Sequence, residues 1–125
     1  MYVSVVTLFV SDIERAIAFY TEKIGWQKTN DQPMGEGMRW VTVAPSETAT
    51  QFTLMPPNPE YTGDRKAGEH TGVVLEADDV FSEYERLGKL GVEFLEPPRN
   101  EPWGGWAMFK DSEGNLLGVH SAPKG

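Results

Sequence analysis

The chain contains no cysteine and only two histidines among its 125 residues. The missing thiols exclude disulfides, cysteine nucleophiles and the thiolate class of structural zinc site. Basic residues are also scarce, with 11 Lys and Arg against 19 Asp and Glu and a formal charge of −8. That balance leaves no basic surface able to neutralise a phosphate backbone or an anionic bilayer, so neither nucleic acid nor a membrane is expected as a partner. Long apolar runs are missing too. The opening stretch Tyr2 to Val10 lacks a basic start, is too short to span a bilayer and stops at Ser11-Asp12. It reads as a strand and not as a signal peptide, and a cytoplasmic location is expected.

What is present suffices for one compact domain. The hydrophobic fraction is 39%, with four Trp and six Phe, enough for a core despite many Pro and Gly, which belong in loops. The chain also repeats itself. Val5 to Trp26 reads VVTLFVSDIERAIAFYTEKIGW, and Gly72 to Val92 reads GVVLEADDVFSEYERLGKLGV. Leu8 falls over Leu75, Asp12 over Asp79 and Gly25 over Gly91, so each segment is an apolar run, an acidic turn, an amphipathic helix and a closing glycine. A tandem duplication follows. Halves of roughly sixty residues bury little core alone, so they are expected to pack together and leave a cavity between equivalent surfaces.

Periodicity fills in the elements. Val6, Leu8 and Val10 mark one face of a first strand, and Val3, Val5, Thr7 and Phe9 the other. Ser11 with Glu14 reads as a capping box for a helix carrying Ile13, Ile17, Tyr20 and Ile24 until Gly25. Strands are predicted at Trp26 to Thr29, Met38 to Val43 and Gln51 to Met55. The second module repeats the plan with a strand at Thr71 to Ala77 and a helix from Asp79 to Lys89 directing Val80, Tyr84 and Leu87 inward. Further strands fall at Val92 to Leu95, Trp106 to Lys110 and Asn115 to His120. Residues 1–55 form module one and 70–125 module two, joined by a polar linker, Pro56 to Glu69. A Pro-rich loop, Glu96 to Trp106, carries two tryptophans. The expected class is α+β, with two tandem βαβββ modules.

The wording VSDIERAIAFYTEKIGW, then LGVEF, PPRNEPWGGW and FKDSEGNLLGV, resembles the vicinal oxygen chelate superfamily of glyoxalase I, bleomycin-resistance proteins, fosfomycin-resistance enzymes and extradiol dioxygenases. The resemblance implies that each module curls a mixed sheet into a half-barrel, with functional groups on the concave face, and that two chains pair as a homodimer. It also implies four metal-binding positions, which fall here on Val5, Thr53, Gly72 and Gly118. None is a histidine or a carboxylate. A valine and two glycines offer a divalent ion no side-chain donor, so no cofactor is expected.

Strand parity supplies the candidate site. Val6, Leu8, Val10, Phe52, Leu54, Val73, Leu75, Leu117 and Val119 form uniformly apolar faces, as surfaces covered by a helix should. The opposite faces mix polar and apolar groups, which suits a small-molecule pocket. His70 and His120 both fall there. If their strands were antiparallel neighbours, the two imidazoles would lie opposite each other, with Cβ atoms about 4.5 to 5.5 Å apart. They could then share a displaced ion with Glu76, form a hydrogen-bonded pair, clamp a ligand, or simply sit part-exposed at a strand end. Gln51 and Thr53 could orient a polar group of a ligand. Trp40, Trp103 and Trp106 could stack on a planar or cationic molecule, and Arg39 could pair with an anion. The leading expectation is a metal-free binder of a small organic molecule. The alternative is a metal-dependent lyase, isomerase or dioxygenase built on His70, His120 and Glu76.

Overall fold

The computed structural model describes residues 1–124, which form two compact units, Met1–Gly68 and the residues from Glu69 onward. In the first unit β1 (Val5–Phe9) leads into α1 (Ile13–Ala18), which continues as a π-helical segment, Phe19–Ile24. Then follow β2 (Gln27–Gly35), β3 (Met38–Ala44), β4 (Gln51–Met55) and a short helix α2 (Pro59–Thr62). The second unit runs β5 (His70–Glu76), α3 (Val80–Lys89), β6 (Phe94–Glu101), β7 (Gly104–Lys110) and β8 (Leu116–Ser121). Each unit has one four-stranded sheet, ordered β1-β4-β3-β2 and β5-β8-β7-β6. The first pair of each order is parallel and the other pairs are antiparallel. The duplication thus repeats one α+β topology strand for strand.

The predicted apolar faces are the ones that lie under the helices. In the first unit Leu8, Val10, Val41, Val43 and Leu54 are essentially inaccessible, together with Ala16 and Tyr20. Burying each larger side chain of this kind contributes about 1.5–3 kcal/mol. Tyr20 stacks on Trp26 and Trp26 on Phe52, at centroid distances of 5.6 and 5.2 Å. Gly25, at φ 91°, takes the left-handed turn that swings Trp26 back over the helix end. Trp26 is therefore core packing ahead of β2 and not its first residue. In the second unit Val80, Leu87, Ala107, Phe109, Leu117 and Val119 form the equivalent layer. Val6, Val73 and Leu75 are only half-buried because β1 and β5 are edge strands. Tyr84 is part-exposed and touches the core through an edge contact with Phe94 at 4.8 Å.

Three expectations are corrected. The α1 cap is Asp12, whose carboxylate accepts from the Arg15 amide at 3.1 Å, and not Ser11. The one-residue shift takes Glu14 out of the capping-box position, and it pairs with Arg39 instead. Strand β2 runs six residues beyond Thr29, because Met34 to Met38 closes a hairpin onto β3 through left-handed residues Gly35, Glu36 and Gly37. Most of the supposed Pro-rich loop is strand β6. Pro97 and Pro98 fall in a register shift between Glu96 and Arg99 on the outermost strand of the sheet, where a missing N–H breaks no ladder bond. Helix α3 starts one residue after Asp79, which caps it by accepting from the Phe81 amide at 3.0 Å and whose pKa is lowered mainly by that bond.

The D-x-x-G-N wording is structural as well. Buried Asp111 accepts from the Glu113 and Asn115 amides at 2.8 and 2.9 Å and from the Asn115 side chain at 3.0 Å, which closes the β7–β8 turn. Gly105 on β7 has a different task. A Cβ there would lie 2.5 Å from Val80 Cγ1 and 2.6 Å from Ser121 Oγ, so the glycine lets the start of α3 sit directly on the sheet. Gly105→Ala is expected to cost about 1–3 kcal/mol by overpacking, read as a lower urea midpoint at constant slope. An unchanged midpoint would mean that Val80 and Ser121 yield freely.

Candidate functional site

In the second unit, register brings a row of polar and aromatic side chains onto the face of the sheet turned away from α3. His120 on β8 lies opposite Glu76 on β5 and opposite Trp106 on β7, and Trp106 lies opposite Arg99 on β6. The His120 ring is held on both sides. Nδ1 meets Glu76 Oε1 at 2.6 Å, and Nε2 meets the Trp103 carbonyl at 2.9 Å. A carbonyl can only accept, so Nε2 carries a proton, and the carboxylate at Nδ1 favours a second. The Trp103 indole then stacks on the imidazole at 5.9 Å and 19°, and meets Trp106 edge-on at 5.9 Å. Gly104 makes this approach possible, since a Cβ there would lie 2.7 Å from His120 Nε2 and 2.2 Å from the Ser121 carbonyl.

Trp106 fixes the centre of the wall. Its ring lies across Gly118, where an added Cβ would come within 2.3 Å of Cη2. Its Nε1 donates to Glu96 at 3.4 Å, and Arg99 bridges Glu96 and Glu101 at 3.0 and 2.7 Å. Arg99 and then the indole N–H hold the Glu96 carboxyl below its ordinary pKa, so it stays charged. The half-exposed Trp103 and the carboxylates of Glu76 and Glu96 thus surround an electron-rich aromatic corner. Glu96 and Arg99 were missed in the sequence because the two prolines hid the alternation of β6.

His70 is elsewhere. Strands β5 and β8 are parallel, so His70 lies opposite Leu116, four residues or about 13 Å along β8 from His120. The expected facing pair of histidines is therefore corrected. His70 Nδ1 accepts from the Gly72 amide at 3.1 Å across a bulge that Gly72 forms at φ 75°. The partner that the fold gives His120 is Glu76.

In the first unit the corresponding face carries hydroxyls. Thr7 lies opposite Thr53 and Thr53 opposite Thr42. Thr42 Oγ1 is 2.6 Å from Thr29 Oγ1, and Thr29 also donates to the Gln51 side chain. Gln51 donates in turn to the Ser46 and Ala49 carbonyls at 3.1 and 2.8 Å, which ties its amide to the β3–β4 turn. Thr53 is 1% exposed, and its hydroxyl has no hydrogen-bond partner among the described residues. Trp40 is half-buried opposite Gln32. Arg39 points the other way, toward α1, and binds Glu14 at 2.6 Å and Asp31 at 2.8 Å. The Arg39 guanidinium and then the Lys28 ammonium hold the Asp31 carboxyl at about 2.

The four positions that the resemblance assigns to a metal do not fit one. Val5, Gly72 and Gly118 have no donor, Thr53 has a neutral hydroxyl, and the Trp106 ring covers Gly118. Among the described residues no three His, Asp or Glu side chains gather as a metal set.

The chain belongs to the glyoxalase/bleomycin resistance protein/dioxygenase superfamily, whose family model matches residues 2–119. Among solved structures it is similar to TnmS3, an antibiotic binding protein from Streptomyces sp. CB03234, with 35% identity, TM-score 0.84 and coverage of 98% of this chain and 96% of that one. A superfamily member from Sphaerobacter thermophilus DSM 20745 superposes at TM-score 0.86 with 34% identity, covering 97% of both chains. The uncharacterized protein YetH of Bacillus subtilis strain 168 is 34% identical over 117 residues, which are 92% of this chain and 93% of YetH.

Two consequences are measurable. The Trp103 carbonyl and then Glu76 raise the His120 pKa above 6.5. Its contribution to stability is complete below the unfolded-state value near 6.5 and is lost as the pH rises through the higher folded value. An NMR titration should show the His120 midpoint above the ordinary imidazole value and lowered by Glu76→Gln. A His120 midpoint that Glu76→Gln leaves unchanged would remove the Glu76 bond from solution. Separately, Thr53→Val keeps the shape of the side chain and deletes a buried hydroxyl that has no partner. The ligand-free protein should gain about 1 kcal/mol, and a loss in denaturant titration would reveal a partner for the hydroxyl.

Proposed function

We propose that this protein binds a small organic molecule with a planar aromatic or cationic portion, without a metal ion and without transforming it. The observation that carries the proposal is the Trp106 ring over Gly118. Where the family resemblance implies a metal-binding carboxylate, this chain has an indole, flanked by Trp103, His120, Glu76 and Glu96. Such a surface offers π-faces to a planar ring and carboxylates to a positive charge. Similarity to the antibiotic binding protein TnmS3 supports sequestration as the role. Pairing of two copies and a cytoplasmic location belong to the same reading. Among the described residues no helix is long and apolar enough to cross a membrane.

The test is a thermal-shift and tryptophan-fluorescence titration against polyaromatic and glycopeptide antibiotics, with metal analysis of protein purified without chelator. A ligand at a hundred times its Kd should stabilise the native state by about 2.7 kcal/mol. Trp106→Ala and Trp103→Ala should each weaken binding about 5- to 30-fold, the loss of one stacking or cation–π contact. No response across the panel would count against sequestration. Stoichiometric zinc, nickel, iron or manganese that depends on Glu76 and His120 would favour a lyase, isomerase or dioxygenase instead.

A further inference from the structure

The first unit contains a cavity of about 430 Å³ that the proposed aromatic site does not use. It lies where the start of β3, the end of β4 and the first turn of α1 meet the segment 56–62. Its volume falls within the roughly 300–1,000 Å³ of small-molecule sites. Ile13, Met38, Met55 and Tyr61 supply apolar wall, and the two thioethers adapt readily to an irregular guest. Pro56, Pro57 and Pro59 fix the backbone of the opposite wall, which lowers the ordering cost of binding.

The polar groups on this wall narrow the ligand. Asn58 Oδ1 accepts from the Glu60 amide at 3.1 Å, and its backbone exchanges bonds with the Thr62 hydroxyl at 3.1 and 2.8 Å. That cap orients the side chain, and its Nδ2 has no acceptor among the described residues. Arg39, also on the wall, is immobilised by Asp31 through Nε and Nη2 and by Glu14 through Nη1. Three bonds leave two of the five guanidinium hydrogens available. With Lys28 on Asp31 at 2.9 Å, the cluster of Lys28, Arg39, Asp31 and Glu14 is neutral. An anion would meet Glu14 and Asp31, and a cation would find both carboxylates already paired. Donors without net charge, set in an apolar wall, suit a neutral acceptor.

We infer that this cavity is a second ligand site, for an uncharged and largely apolar molecule bearing a hydrogen-bond acceptor such as a ketone or ester oxygen. It is separate from the aromatic corner of the second unit and does not depend on that assignment. The probe is 6-propionyl-2-(dimethylamino)naphthalene, a neutral ketone whose emission moves to the blue in an apolar site. The expected result is a saturable blue shift, with NMR amide perturbations at Gly37, Met55, Asn58 and Tyr61. Met55→Trp, which fills the cavity, should weaken binding about tenfold or more. Because a Trp at 55 can disturb β4, Tyr61→Ala at an exposed wall position is measured beside it and should weaken binding about threefold. The inference is overturned by three results: no saturable binding, perturbations confined to the Trp103 and Trp106 indole signals, or unchanged affinity in both variants.

Discussion

The contact on which the second unit's candidate face depends is the Trp106 ring packed against Gly118, with Cη2 nearest. Any side chain at 118 would begin with a carbon 2.3 Å from Cη2, a distance no packing adjustment short of moving the indole relieves. With the ring in place, Trp103 has an edge to meet, His120 has a plane to stack under, and Glu76 and the Trp103 carbonyl hold the imidazole from both sides. Removing Gly118 would therefore dismantle several contacts at once. A flat aromatic wall and a metal-binding carboxylate are mutually exclusive at this position.

The two units show how one topology supports different chemistry on its two sides. The sides facing the helices are bound by close packing, because a polar group placed there would lose its hydration without a partner. Leu8, Leu54, Leu117 and Val119 satisfy that demand in both units. The opposite sides admit polar groups, although Thr42 and Thr53 are buried there as well. In one unit they hold a row of threonines tied to Gln51, and in the other an aromatic and acidic row. In the second row His120 holds the Trp103 segment through Nε2 and Glu76 through Nδ1, and its charge depends on pH.

The edge strands explain most of the differences between expectation and structure. Pro97 and Pro98 look like a loop because proline cannot donate to a ladder, yet on an outer strand one side has no ladder to lose. Glu96, Arg99 and Glu101 were hidden for that reason. The histidines were misjudged by strand direction. Side-chain parity is a property of one strand and can be read from its own residues, whereas the partner across a ladder depends on whether the neighbour runs parallel or antiparallel. His120 and Glu76 were both legible as residues of one face; that they touch was not.

The sequence by itself determined the duplication, the helix-facing core, the helix boundaries near Gly25 and Asp79, and the lack of histidine or carboxylate at the inferred metal positions. All of these follow from residue identity and from periods of two and 3.6, which are local properties of the chain. Only the tertiary structure decided that Trp106 lies over Gly118, that His120 pairs with Glu76 and not with His70, and that Arg39 turns toward α1. Those relations join residues far apart in the chain, and they are set by strand direction, bulges and packing, none of which a local pattern records.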